Sequence, residues 1–555
     1  MAGKKQTQEE VRRNLIDNLS WQAAQRDDKR VAQAIHEGKE LDAVYSLDEV
    51  GLLDGFFHFL KQVGIFSLIE GIEMLAIQRV LIAVIQFVLL YMLTILFGIA
   101  SMNALPPLLF SNTAAMKLVG FNAHQIANGF TRRGDALRKN KPKRGPLSPQ
   151  CLAQNICKIP LSSLGWFFNG TIRCLAAFGI FAAKIGTIVD GSHLTTTKNY
   201  EGCGCLKVER RARTKDGNWV TVIDLIFGWK LIALIDIRTR IPLAIKVVQI
   251  QEYEGRWIVP LVKQAQKNLA GYARIVKVVA DRIYLDGEDL WELDQMDLIF
   301  VVIAKSNMLV RKDALALAAQ VPSDKVATRT RTVRHGHGRK QTTEELVTRL
   351  VGLEELTSYG LYGPEEYTQH YRRKDYEANP INAVVVLEWD SKKKGNHVYL
   401  TNGPVDDPFV VFDDYDDRSL IENCLFREGK GPWNLLEYFP HRNEQGVLIQ
   451  TYFTAAVQAL ATAYRLWTQQ QELNAEEPET VAETLDYALL EGEGVQRWQR
   501  RLKQENRNKL IVFVGEHYGI FHLAEFAVLA GLRLREIPLE LGTPADILAR
   551  FDLGP

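Results

Sequence analysis

Three carboxylates in the 555-residue sequence have the type and setting for metal-assisted chemistry: Asp190, Asp281 and Glu422. Asp190 follows the β-branched run in KIGTIVDG (184–191), and Asp281 ends ARIVKVVAD (273–281). Each is expected at the end of a buried strand. The ends of adjacent parallel strands converge on one rim of a sheet, where α/β proteins bind ligands. Carboxylates gathered there repel one another, and a divalent cation relieves the repulsion. Hard oxygen donors favour Mg2+, with Mn2+ as substitute, over Zn2+. Two such ions, about 3.5–4 Å apart, activate an attacking hydroxyl and stabilise a leaving 3′ oxygen in phosphoryl transfer. The three carboxylates are then metal ligands, not nucleophiles.

Glu422 belongs to the segment YDDRSLIENCLFREGK (415–430), in which Tyr415, Arg418 and Glu422 are spaced i, i+3, i+7. That spacing is one face of a helix. Arg418, one turn before Glu422, can orient its carboxylate or hold a DNA phosphate. The plainer alternative is an exposed helix with an Arg–Glu pair, worth a few tenths of a kcal/mol. Other carboxylates compete for the site: Asp224, Asp236, Asp286, Asp289 and Glu428. Asp236-Ile-Arg-Thr-Arg240 reads as a hairpin and Asp286-Gly287 as a turn. Asp413, Asp414, Asp416 and Asp417 read as N-cap and first-turn charges of a helix starting near Asp414.

The elements that must position these residues follow from the apolar pattern. Strand-like runs at 184–191, within 219–250, at 273–281 and at 297–307 alternate with helical patterns at 255–271 and 289–295. Such an order suits an α/β fold, a mixed sheet flanked by helices. Near-continuous apolar strands fit a sheet buried on both faces. Residues 308–410 interrupt it with β-like runs, NAVVVLEWD (382–390) and HVYLTN (397–402), and read as an inserted β-rich subdomain. The expected layout is a helical N-terminal region (1–180), a first part of the core (181–307), the insertion (308–410), core completion with the Glu helix (411–460) and a largely helical C-terminal region (461–555). Residues 80–102 form an apolar run long enough to span a bilayer. With Gln86, Thr94 and Ser101 within it and no second such run, a buried helix is the preferred reading.

Four blocks now carry a resemblance. IVDGSHL (188–194), ADRIYLDGEDLW (280–291), FVVIAKSN (300–307) and Tyr415…Arg418…Glu422 resemble the bacterial insertion-sequence DDE transposases, over about residues 184–460. The resemblance implies an RNase H-like core with a β-strand insertion between the second Asp and the Glu. It implies cut-and-paste transposition: hydrolytic cleavage at the element ends, then strand transfer by the freed 3′-OH. Asp190, Asp281 and Glu422 map onto the catalytic triad, and Tyr415, Arg418 and a following Lys onto the Tyr-Arg-Glu-Lys signature. In the best-understood members that Lys lies seven residues after the Glu. Here that position is Gly429, and Lys430 follows, rotated by about 80° on an ideal helix. Arg427 is a substitute for it. The same resemblance implies a homodimer pairing two DNA ends, end recognition by the N-terminal region, dimerisation through the C-terminal region, and a cytoplasmic, nucleoid-associated bacterial protein. Two further readings stay open: a catalytically silent DNA-binding protein of transposase ancestry, and an RNase H-like nuclease that cuts without joining.

Composition neither opposes nor demands a nucleic-acid partner. Lys and Arg number 67 against 66 Asp and Glu, a net charge of +1, so double-stranded DNA must be met by local patches. Candidates are residues 131–144, residues 325–340 with Arg329, Arg331 and Arg334, and Lys392-Lys393-Lys394. The first of these reads equally as a solvated linker. Trp389 is a candidate for stacking on a displaced base. Six cysteines without paired CxxC spacing read as reduced thiols rather than a zinc site.

Overall fold

The computed structural model describes residues 24–47, 52–74, 82–121, 125–126, 146–213, 216, 219–335, 342–364, 366, 378–391, 397–437, 440–476, 485–490, 492–504, 508–534 and 536–554. The chain divides into two compact units, one of residues 175–428 and 466–489, the other of residues 1–174, 429–465 and 490–555.

The first unit is built on one mixed sheet of ten strands. Strands β1 (Lys184–Thr196), β2 (Gly204–Arg213), β3 (Trp219–Asp236) and β4 (Pro242–Gln249) pair antiparallel, with β3 between β1 on one side and β2 and β4 on the other. Strand β5 (Arg274–Ala280) lies parallel to β1, and β6 (Ile299–Ile303) parallel to β5. The order β4-β3-β1-β5-β6, three antiparallel strands followed by two parallel ones, is the RNase H-like topology. Ile188, Val189, Val278, Val279, Val301 and Val302 are wholly buried, as strands covered on both faces require. Helix α1 (Ile258–Leu269) buries Ile258, Val259, Leu261, Val262 and Ala265 on one face. Helix α2 (Gly287–Gln295) starts at Asp286, whose Oδ1 accepts from Glu288 N at 3.1 Å.

The inserted strands do not form a layer of their own. Strands β7 (Ala327–His335), β8 (Thr342–Leu356), β9 (Ile381–Glu388) and β10 (Val398–Thr401) continue the same sheet in the order β6-β10-β9-β8-β7, all antiparallel. Without β10, the β6 edge would leave unpaired N–H and C=O groups in a buried place. Helix α4 (Pro408–Asp416), which follows α3 (Leu309–Ala318) in the chain, then packs against β10 and β8. Its N-cap is Asp407, with Oδ1 accepting from Phe409 N at 3.0 Å. The helix therefore starts six residues before the Asp414 expected from sequence, at an Asp-Pro signal that the acidic cluster obscured. Asp413 and Asp414 fall in its last turn, where the helix dipole disfavours negative charge. Each has a cation: Arg329 donates to both oxygens of Asp413 at 2.8 and 3.0 Å, and Lys277 Nζ meets Asp414 Oδ2 at 2.5 Å.

In the second unit, the apolar run becomes a 13-residue helix, Val84–Leu96, with nearly every residue buried. Its polar members are satisfied: Thr94 Oγ1 donates to Leu90 O at 2.8 Å, and Gln86 Oε1 accepts from Ala83 N at 3.1 Å. Among the described residues no helix is long and apolar enough to cross a membrane. A four-stranded sheet here joins the two ends of the sequence, in the order Gln25–Arg26, His517–His522, Lys509–Val514, Ala43–Ser46.

Asn402, just after β10, ties the insertion to the core. Its Oδ1 accepts from Phe300 N at 2.9 Å, and its Nδ2 donates to Leu298 O at 2.9 Å and Asp294 Oδ1 at 2.6 Å. Asn402→Ala leaves these groups unmet and is expected to cost about 2–3 kcal/mol, measured as a lower midpoint in urea. An unchanged midpoint would show that water replaces the amide at no cost.

Candidate active site

The register of β1 against β5 builds the site. Val189 stands beside Ala280, so Asp190 and Asp281, one residue on, are neighbours at the rim. Asp190 Oδ1 accepts from Gly191 N at 2.8 Å, and its Oδ2 is 3.2 Å from Arg418 Nη1. Asp281 Oδ1 accepts from Arg282 N at 2.8 Å and from Tyr415 Oη at 3.3 Å. The Arg418 guanidinium lies 5.7 Å from the centre of the Tyr415 ring, and that ring lies 4.6 Å from Tyr399 of β10. Four of the sequence-predicted residues, Asp190, Asp281, Tyr415 and Arg418, are thus brought together.

Electrostatics follow from this crowding. Burial pushes the Asp190 carboxyl up to about 6, with Asp281 and Glu254 adding to it and the Gly191 N–H and Arg418 opposing. Burial works against the Arg418 charge, but Tyr415, Asp281 and Asp190 outweigh it and hold the guanidinium above its usual range. The Tyr415 phenol is raised by burial first and by Asp281 second.

Glu422 is placed differently. Helix α4 ends at Asp416, Arg418 sits in the turn that follows, and Ile421–Arg427 is a π-helical turn. The i, i+3, i+7 face expected of one continuous helix is therefore broken. The π-turn buries Ile421, Cys424, Leu425 and Phe426 and packs against β1, while Glu422 is exposed. Among the described residues no three Asp, Glu, His or Cys side chains are gathered so as to hold a metal ion. The third carboxylate is not drawn in beside the other two. Arg427 is exposed at the end of the π-turn, and Lys430 is half-buried.

A family described as "Transposase DDE domain" matches residues 182–458. This segment belongs to the DDE transposases. No curated protein matches the chain. Among solved structures, the cryo-EM structure of a piggyBac transposase synaptic complex with hairpin DNA is similar at 10% identity and a TM-score of 0.34, over 86% of this chain and 79% of that one. A likeness that distant carries no argument about this site.

In the DDE transposase domain, sequence reasoning missed a buried pair behind Asp190. Glu254 and Lys230 are each more than nine-tenths buried, with Nζ 3.6 Å from Oε2, and Lys230 Nζ also donates to Glu252 O at 3.2 Å. A Cβ on Gly191 would fall 1.8 Å from Glu254 Oε2, which explains the glycine after Asp190. Nothing in the local sequence QEYEGRW (251–257) distinguishes Glu254 from a surface acid. Tyr284, also wholly buried, has its phenol pushed up by burial and by Glu254, Asp190 and Asp281.

The other candidates resolve into local structure. Asp236 Oδ2 accepts from Thr239 N at 3.0 Å and Thr239 Oγ1 at 2.6 Å, closing the hairpin. Asp286 is the α2 cap, Asp224 pairs with Arg210, and Glu428 accepts from Tyr487 Oη at 2.9 Å. Arg329 is held by Asp413 and stacks 3.9 Å from the Phe409 ring; Arg331 is held by Asp390, with Nε to Oδ1 at 2.9 Å. Arg334 is exposed on β7. Trp389 packs edge-on against Phe412 at 5.1 Å and His397 at 5.9 Å. The stretch 131–144, residues 336–340 and Lys392–Lys394 lie outside the described residues.

The raised Asp190 carboxyl has a sign. Its folded form binds a proton more tightly than the unfolded chain, so stability falls as pH rises from about 4 through about 6 and stays low above. Asp190→Asn is expected to stabilise the metal-free protein by about 2 kcal/mol near pH 7.5, with the gain vanishing below about pH 4. Urea denaturation at both pH values with a chelator present checks this; an equal gain at both would remove the charge as its cause.

Proposed function

We propose that this DDE transposase cuts and joins double-stranded DNA by divalent-metal-assisted phosphoryl transfer at the ends of a mobile element. The observation that carries the reading is the Asp190–Asp281 pair. It unites two carboxylates from adjacent parallel strands, with Asp190 raised by burial and by Asp281, and with Arg418 beside them as countercharge. An all-oxygen donor set of this charge fits Mg2+ or Mn2+. Asp190, Asp281 and Glu422 would hold two such ions, which when bound lower the pKa of an attacking hydroxyl and stabilise the leaving oxygen.

The protein's own groups have separate duties. Tyr415 orients the Asp281 carboxylate through its hydroxyl and is itself fixed by stacking on Tyr399. Arg418 neutralises the pair in the absence of metal and turns to a DNA phosphate when a cation takes over that role. Glu422, on a π-turn anchored to β1 by its buried neighbours, joins the other two when metal and DNA arrive. The π-turn also bears on the displaced lysine. Its i→i+5 winding inserts one residue relative to an α-turn. A residue eight after Glu422, Lys430, then takes the angular place that seven gives on an unbroken helix. Lys430 is accordingly assigned to the DNA phosphates, with Arg427 beside it. The active form is a homodimer holding two DNA ends, with the N-terminal region reading the terminal repeats.

The second reading, a silent DNA-binding protein, is favoured by one observation, the exposed and ungathered Glu422. Cleavage of DNA carrying the repeats that flank the gene decides between them. With Mg2+ or Mn2+ the wild type is expected to cut at the repeat ends. Asp190→Asn, Asp281→Asn and Glu422→Gln should each lose about a thousandfold or more while still binding DNA. A wild type that binds the ends and cuts with neither metal is the silent protein. Lys430→Ala is expected to slow end cleavage by about 10–100-fold. Moving the lysine back with Gly429→Lys and Lys430→Gly should not restore the rate, and full restoration would refute the π-turn account.

A further inference from the structure

Beyond the rim, the hairpin β2–β3 departs from the sheet. Strand β1 accompanies β3 only from Phe227 onward and β4 only from Trp229 onward, so residues 219–226 pair with β2 alone. The departure point is fixed by Gly228, at φ +141°, where any Cβ would lie 2.1 Å from Leu194 O. The two faces of this ribbon differ. Leu206, Val208, Val222 and Ile226 on one face are half-buried, whereas the other face is exposed along its length. That exposed face pairs Lys207 with Leu225, Arg211 with Thr221 and Arg213 with Trp219, with Ile223 between. Trp219, Ile223 and Leu225 are 68%, 59% and 53% exposed.

Exposed apolar side chains among cations call for a partner. The face carries three cations, Lys207, Arg211 and Arg213, against one acid, Glu209. A two-fold contact with a second copy would set this net-positive face against an identical one. A polyanion meets them instead, and the major groove of DNA admits a two-stranded ribbon while offering thymine methyls to apolar side chains.

We propose that the exposed face of the β2–β3 ribbon is a binding surface for double-stranded DNA flanking the cleavage site, with Lys207, Arg211 and Arg213 on phosphates and Trp219, Ile223 and Leu225 against the groove. It rests on the DNA-cutting reading above for its partner, but not on the triad. The ribbon continues the strand that pairs with Asp190. Along β3 it starts seven residues from Ala233, the partner of Asp190, and ends fourteen away. At about 3.4 Å per residue it spans roughly 24–48 Å from the site, or about 7–14 base pairs of duplex.

The test uses the full-length protein and a random-sequence duplex of about 40 base pairs, because phosphate binding is independent of sequence. Arg211→Gln with Arg213→Gln, both at exposed positions, is expected to weaken binding at least about tenfold at low salt. It should also reduce the slope of log K against log salt by about 2. Ile223→Ser with Leu225→Ser is expected to weaken binding at an unchanged slope. Unchanged affinity and slope in the arginine variant would overturn the proposal. So would a Ser variant that sediments as a smaller species with wild-type DNA binding, which would make the ribbon a contact between copies. A wild type that binds the duplex but cuts no ends, with the arginine variant weakened, removes the catalytic reading and leaves the ribbon standing. A wild type that binds no duplex removes both.

Discussion

Two like charges held side by side at the end of a parallel strand pair set the terms for the rest of the DDE domain. At about 5 Å and an effective dielectric near 20, the repulsion between two carboxylates is on the order of 3 kcal/mol. Burial of Asp190 adds to the cost. A fold that keeps such a pair needs a cation beside it, and without metal that cation is Arg418. Arg418 reaches the rim because α4 places the turn after it there. Helix α4 in turn rests on β10 and β8, on the ion pair of Lys277 with Asp414, and on the pair of Arg329 with Asp413. The inserted strands are thus structural parts of the site: they extend the sheet until it carries the helix that delivers the countercharge.

The end of β5 was legible in the sequence because its signal is local. An apolar run closed by Asp marks the end of β5, and Asp281 directly follows it; β1 instead runs on past Asp190 to Thr196, because β3 pairs with it there, and only its parallel pairing with β5 stops at Val189. What the pattern could not reveal is pairing over long separations. The strands of 308–410 look alike whether they fold apart or join the β6 edge, and only the need to cover that edge decides. The start of α4 was hidden by four later aspartates that resemble a cap. The π-turn at Ile421–Arg427 has no local code, so an α-helical wheel drew Tyr415, Arg418 and Glu422 on one face that the structure breaks. Glu254 gave no signal at all, since its burial comes from Lys230 and Gly191, distant in sequence.

Charge was the least legible property. A run of arginines reports cations but not their partners, and Arg329 and Arg331 are already bound to Asp413 and Asp390. Such pairs at the surface contribute little to stability, so exchanging a carboxylate for a phosphate is nearly neutral. A chain whose cations and anions almost cancel can hold its surface arginines against its own acids, as Arg329 and Arg331 are held.

In the proposed reaction Arg418 would make the same exchange where more is at stake. An unpaired guanidinium half-buried beside Tyr415 would be costly, and so would the bare Asp190–Asp281 pair. Neither occurs alone if the incoming groups are complementary: a divalent cation replaces Arg418 at the carboxylates as a phosphate replaces the carboxylates at Arg418. One pairing of opposite charges at the rim is then exchanged for two. It follows that metal and DNA should bind more tightly together than either does alone, because each relieves the desolvated charge that the other leaves uncovered. The exposed position of Glu422 fits this sequence of events, since a third carboxylate drawn to the rim before a cation is present would only add to the repulsion.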